Sequence, residues 1–178
     1  MEVEEVLALI EEIIEEHKLI LHRVRTLDGA INDVSAMLEL ERAKEDFVPG
    51  RFGDQRRALE IWQESIEALD EGLQAHFDRE EKGLLTAFEK YGDRMLASAL
   101  HALLHEHEEL RDRLTKSKVE MAELAAGGLS RGVWEGRVWG LRVYVSHTRN
   151  LLEAHAKSEQ ELLLTLRRQL EERKKGKD

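Results

Sequence analysis

Three histidines crowd the stretch HALLHEHEEL, residues 101–110, and which of them can act is a question of geometry. His101 and His105 stand one helical turn apart, the spacing of a two-histidine metal clamp. His107 looks like the odd one out. Two other places pair histidine with a carboxylate four residues on, His76 with Glu80 and His155 with Glu159. On a helix, that spacing puts both side chains on one face, a turn apart. Imidazole nitrogen combined with carboxylate oxygen suits iron, manganese or zinc.

The elements that must position these groups follow from the apolar spacing, which repeats every three or four residues in four segments, as buried helix faces do. The first seam runs from Val3 to Leu38, with Val34 near its end, and is broken only at His17. The second runs from Leu59 to Leu84 and is broken at His76 and Glu80. The third runs Leu96, Leu100, Leu103, His107, Leu110 and Leu114. The fourth, from Trp134 through Leu162 to Leu166, is broken at Thr148, His155 and Glu159. At about 100° per residue, His107 lies near the centre of its seam, while His101 and His105 lie on the far side beside Glu108 and Asp112. The conspicuous pair is therefore expected in solvent and the isolated histidine inside. His22 and His147 lie off the seams and are expected at the surface or behind the ligands. Trp62, Trp134 and Trp139 are expected in core and boundary packing.

Three breaks separate the segments: DFVPGRFGD (46–54), YGD (91–93) and AGGLSRG (126–132), with Ser130 placed to cap the fourth helix. Short connections make successive helices antiparallel, so residues at one height lie equally far from the turn between them. By that rule His17, His76/Glu80, His107 and His155/Glu159 share one level of an all-α, antiparallel, up-down-up-down four-helix bundle. The bundle is expected over residues 1–172, with 173–178 as a basic flexible tail. A carboxylate in an apolar core is costly unless it is paired or bound to metal. Four histidines and two glutamates can serve two ions, with two histidines terminal on each and both carboxylates bridging. Two divalent ions would also offset the buried negative charge.

Composition narrows the alternatives. A formal net charge of −10 argues against a nucleic-acid partner. With no cysteine, thiolate zinc sites, iron–sulfur clusters and thiol nucleophiles are excluded. No apolar run reaches membrane-spanning length, and the acidic start MEVEEV is unlike a secretory signal, so a soluble cytoplasmic protein without a membrane partner is expected. The Glu-x-x-His motif of ferritin-like bundles is absent, because Ile14, Leu73, Leu104 and Leu152 occupy the positions three before the inward histidines. A haem bundle would leave both glutamates unexplained.

An internal repeat completes the pattern. EEHKLI (15–20) matches EHEELR (106–111) around its histidine, and AHFDREEKGLL (75–85) matches AHAKSEQELLL (154–164). A helix with one histidine followed by a helix with His-x-x-x-Glu, twice over, resembles the hemerythrin-like family, the HHE cation-binding domain, from residue 3 to about 170. The resemblance implies that His17, His76, His107 and His155 are terminal iron ligands. Glu80 and Glu159 would bridge the two irons together with an oxo or hydroxo group, and the donor set leaves manganese or zinc open. Two departures separate the chain from the oxygen-carrying members: Leu103 stands where they have a further histidine, and Gln160 where they have aspartate. Four histidines with two glutamates is more similar to the repair-of-iron-centres type, whose cysteine-bearing N-terminal domain is missing here. The expected activity is a non-haem di-iron centre that binds and reduces oxygen, nitric oxide or peroxide, with an electron donor that the sequence does not identify. The rivals are a reversible oxygen carrier, an oxygen, redox or iron sensor, and a structural bundle with zinc or no metal.

Overall fold

A computed structural model describes the backbone of residues 1–41 and 53–175 and the side chains of 1–33 and 59–175. The chain is an all-α four-helix bundle. Its elements are α1 (Val3–Glu41), α2 (Gly53–Arg79), a π-helical turn (Glu80–Leu84), α3 (Leu85–Tyr91), α4 (Arg94–Leu104), α5 (Glu106–Ala126) and α6 (Arg131–Lys175). The second bundle helix is thus α2, the π turn and α3 in sequence. The third is α4 and α5, parted at His105.

The breaks have local causes. Gly92 ends α3 where an added Cβ would lie 2.6 Å from the Phe88 carbonyl oxygen, so only glycine fits without displacing backbone. Asp93 then caps α4, its side chain accepting from the Leu96 N–H at 2.9 Å. Gly127 and Gly128 both take φ of 77°, the left-handed conformation that glycine adopts without penalty, and they end α5. Ser130 stands immediately before α6, and its carbonyl accepts from the Trp134 N–H at 2.9 Å. Most of the expected DFVPGRFGD turn lies outside the described residues, while Gly53 and Asp54 already belong to α2.

One compact unit comprises Met1–Leu21, Gly72–Leu110 and Leu151–Asp178. Its core joins Val6, Ile10 and Ile13 of α1 to Leu84 of the π turn, Phe88 of α3, Leu100 of α4, and Leu163, Leu166 and Leu170 of α6. Each such side chain contributes about 1.5–3 kcal/mol relative to exposure. Two seam assignments shift by one residue. Leu163 is fully buried where Leu162 was expected, and half-buried Leu104, rather than the equally half-buried Leu103, packs on this core where the ladder breaks at His105.

A second unit comprises His22–Glu71 and Arg111–Asn150. Trp62, Ile66, Leu69, Leu114, Trp134, Val138 and Val145 are buried in it. Its buried carboxylate, Asp28, accepts from Ser146 and, at 2.5 Å, from Arg149 Nη1. Trp139 departs from expectation: it is 64% exposed, since it falls between the buried positions Val138 and Leu141 rather than on their stripe.

Residues 176–178 of the expected 173–178 tail lie outside the described residues. α6 continues to Lys175, with Arg173, Lys174 and Lys175 in its last turn, where cations oppose the negative end of the helix dipole. Among the described residues, no helix is long and apolar enough to cross a membrane. Val34 and Leu38 of the first seam lie outside the described side chains.

Candidate metal centre

All six inward residues of the sequence belong to the first unit, and all are buried: His17 on α1, His76 at the end of α2, Glu80 opening the π turn, His107 on α5, and His155 and Glu159 on α6. Glu80, His107 and Glu159 have no exposed surface at all. His101 and His105 are exposed, and His101 lies 3.6 Å from the equally exposed Glu89. His22 and His147 are exposed as well.

The four imidazoles aim their Nε2 atoms at a common space. Glu80 reaches both sides of it: Oε1 lies 2.7 Å from His76 Nε2 and 3.6 Å from His17 Nε2, and Oε2 lies 3.2 Å from His107 Nε2. Glu159 places Oε2 3.2 Å from His17 Nε2 and 3.7 Å from His155 Nε2. His107 Nε2 and His155 Nε2 stand 3.2 Å apart. The donor atoms form two overlapping groups able to hold an ion, His17/His76/Glu80/Glu159 and Glu80/His107/His155, and Glu80 belongs to both.

Closeness here is not hydrogen bonding. Both ring nitrogens of His17 and all four carboxylate oxygens of Glu80 and Glu159 are buried without a hydrogen-bond partner, although Glu80 Oε1 lies 2.7 Å from His76 Nε2. The groups point past one another at shared points. An unsatisfied buried polar group costs about 1–3 kcal/mol, and a cluster of them needs an occupant that accepts lone pairs from several directions at once. A metal cation does this, so the residues present fit the ions that the donor set implies.

Electrostatics agrees. Burial disfavours a charged His17, but Glu159 and Glu80 outweigh it and raise its pKa to about 9. Burial likewise raises Glu159 to about 7, with Glu80 adding to the rise and His17 opposing it. Burial works against the Glu80 carboxylate too, yet His107, His17 and His76 hold its pKa well below 4.5. Burial pushes His155 below 6.5. In the metal-free protein the cluster therefore keeps a proton on the His17–Glu159 pair at neutral pH.

Four supporting residues were not singled out from the sequence. Glu16 accepts from His76 Nδ1 at 2.8 Å and is itself held by Arg79. Glu106 accepts from His155 Nδ1 at 3.0 Å, and Glu81 from His107 Nδ1 at 2.9 Å. Phe77 stacks on the His107 ring, with centroids 3.9 Å apart and planes within 14°. A carboxylate behind a ligating imidazole fixes the tautomer and raises its basicity. A signal existed for two of them. In both repeated segments a glutamate directly precedes the inward histidine, as Glu16 and Glu106, and each serves the histidine of the following helix.

An apolar cavity of about 10 Å³, room for one water-sized molecule, lies beside His17, His76 and His155 and is walled by Ile20, Leu73, Phe77 and Leu152. A more open pocket of about 220 Å³ reaches His155 past Glu106, Leu110 and Leu151.

The family model of the hemerythrin HHE cation-binding domain matches residues 8–166 of the chain. Neither the curated proteins nor the solved structures include a match.

Proposed function

Because the chain belongs to the hemerythrin HHE cation-binding family, we propose that His17, His76, Glu80, His107, His155 and Glu159 hold two iron ions, which bind and reduce oxygen, nitric oxide or peroxide. The observation that carries this reading is the convergence of six buried side chains, three of which, His17, Glu80 and Glu159, keep donor atoms without a hydrogen-bond partner. When bound, two ferrous ions supply two electrons, which with two protons take oxygen to peroxide or peroxide to water. Glu80 would be shared by the two ions, since its two oxygens face His76 and His107 respectively.

The surrounding chain sets the size and polarity of what can react. A cavity with room for a single water admits diatomic molecules and peroxide and excludes organic substrates. Its leucine, isoleucine and phenylalanine walls keep bulk water from the donor atoms. Half-exposed Glu106 accepts from His155 Nδ1 beside the more open pocket and so holds that ring with its Nε2 turned inward. Leu103, in place of a further histidine, leaves more coordination positions open, and an open position favours turnover over storage.

The third-helix assignment has a direct test. His107→Ala should lose metal, whereas His101→Ala/His105→Ala should retain the wild-type content, because only His107 faces the cluster. Iron analysis of both proteins decides it, and metal loss in the double variant alone overturns the assignment. For the reactivity, stopped-flow mixing of the iron-loaded, reduced protein with oxygen should show rapid, irreversible oxidation, and nitric oxide should bind. A stable colour that vanishes on deoxygenation would instead establish a reversible carrier.

A further inference from the structure

The two halves of the repeat are not equivalent around the centre, and the difference lies in residues 80–84. Glu80 and Glu81 are adjacent, yet both reach the same imidazole: Glu80 Oε2 lies 3.2 Å from His107 Nε2 and Glu81 Oε1 lies 2.9 Å from Nδ1. Neighbours on a regular helix diverge by about 100° and do not share a target. Here they belong to a π turn, closed by the Leu85 N–H on the Glu80 carbonyl, which widens the helix where the two carboxylates start.

The repeat partner of this segment lacks both features. Glu159 and Gln160 sit in unbroken α-helix, and Gln160 is exposed. His17, which corresponds to His107, has an Nδ1 with no hydrogen-bond partner among the described residues. The pairing of Glu16 with His76 is mirrored by Glu106 with His155, but that of Glu81 with His107 is not mirrored at all.

We infer that the π turn makes the two metal positions unequal, with Glu81 as the positioning residue that strengthens the one formed by His107 and His155. There, both imidazoles are backed by carboxylates, Glu81 and Glu106. At the His17/His76 position only His76 is backed, by Glu16. A carboxylate that accepts Nδ1–H turns the Nε2 lone pair inward and makes the imidazole a stronger donor. The inference rests on the reading of the six residues as ligands of two ions.

Cobalt(II) alone, added to the metal-free full chain and followed by calorimetry and visible absorption, tests it. Wild type should take up two cobalt ions per chain in two resolved steps. Glu81→Gln should weaken one step by about 10–100-fold and leave the other unchanged. Glu16→Gln should weaken the opposite step. With ¹⁵N-labelled histidine in the cobalt form, Glu81→Gln should displace one imidazole N–H resonance. The unfolding midpoint of the metal-free variant should stay at the wild-type value, which a merely structural role for Glu81 would shift. Two equal steps in wild type, an unchanged Glu81→Gln titration, or equal weakening of both steps overturns the inference while leaving the metal centre intact. Wild type that takes up no cobalt overturns the metal reading, and this inference with it.

Discussion

Stripping the metal should lower the thermal unfolding midpoint by about 10 °C. The expectation follows from what the centre leaves unpaired: four carboxylate oxygens and both His17 nitrogens, buried and without hydrogen bonds. The folded chain alone positions these atoms, so metal binds the folded state in preference to the unfolded one, and its binding energy becomes folding energy. A free ion at about a thousand times its dissociation constant adds about 4 kcal/mol. In a protein of this length each kcal/mol moves the midpoint by about 2–4 °C. Calorimetric scans of iron-loaded and chelator-treated protein measure the difference. Identical midpoints, with metal removal verified by elemental analysis, would refute the centre's place in the core.

The gap between those two midpoints should widen as pH rises from 6.5 to 9. In the metal-free protein, Glu159 and Glu80 raise His17 to about 9 against the opposing effect of burial. A folded pKa above the unfolded value of about 6.5 means that this stabilisation is complete below 6.5 and is lost as pH rises through 9. The loss is about 3 kcal/mol at 1.36 kcal/mol per pH unit. Glu159, raised to about 7 chiefly by burial, acts in the same direction: the metal-free protein loses its contribution between pH 4.5 and 7. His155, lowered by burial, acts only below 6.5 and stays outside the window.

The metal-loaded protein behaves differently. Its His17 is neutral, as it is in the unfolded chain above 6.5, so this group makes its stability level there. Metal affinity accordingly gains about tenfold per pH unit across the window as the His17 proton ceases to compete. Unfolding midpoints of both forms at pH 6.5, 7.5 and 8.5 decide the matter, and a gap that stays constant or narrows contradicts the protonated His17–Glu159 pair. Glu159→Gln sharpens the test, since the decline of the metal-free protein between pH 4.5 and 7 should disappear with the carboxylate.

Much of this architecture was legible in the amino-acid order because it is periodic. A residue at three- and four-residue spacing among leucines and isoleucines must face inward whatever surrounds the helix, and that rule alone separated His107 from His101 and His105. Chain reversal at Gly92 and at the glycines after Ala126 set the heights of the helices, which brought six polar residues from four segments to one level. The repeat then tied the pattern to a family. Each of these inferences is local or one-dimensional, and each needs only the pitch of a helix and the shortness of a turn.

Packing decided the rest. Leu163 took the buried place expected for Leu162, because over a helix as long as α6 the drift of a 3.6-residue period moves the buried stripe by a residue. Trp139 turned outward because it lies beside the Val138–Leu141 stripe rather than on it. The supporting carboxylates depend on contacts between helices: Glu16 serves a histidine 60 residues away and Glu106 one 49 residues away. Their distance from the seam centre made them look like ordinary surface glutamates. The π turn was least legible of all. Glu80 and Glu81 read as one inward and one outward residue on any regular helix, and only the wide turn packed against α1 and α5, with Gly83 close beneath Leu9, allows both to reach His107. A backbone that departs from regular pitch carries no periodic signature, because the energy that sustains it comes from tertiary neighbours rather than from the residues that bend.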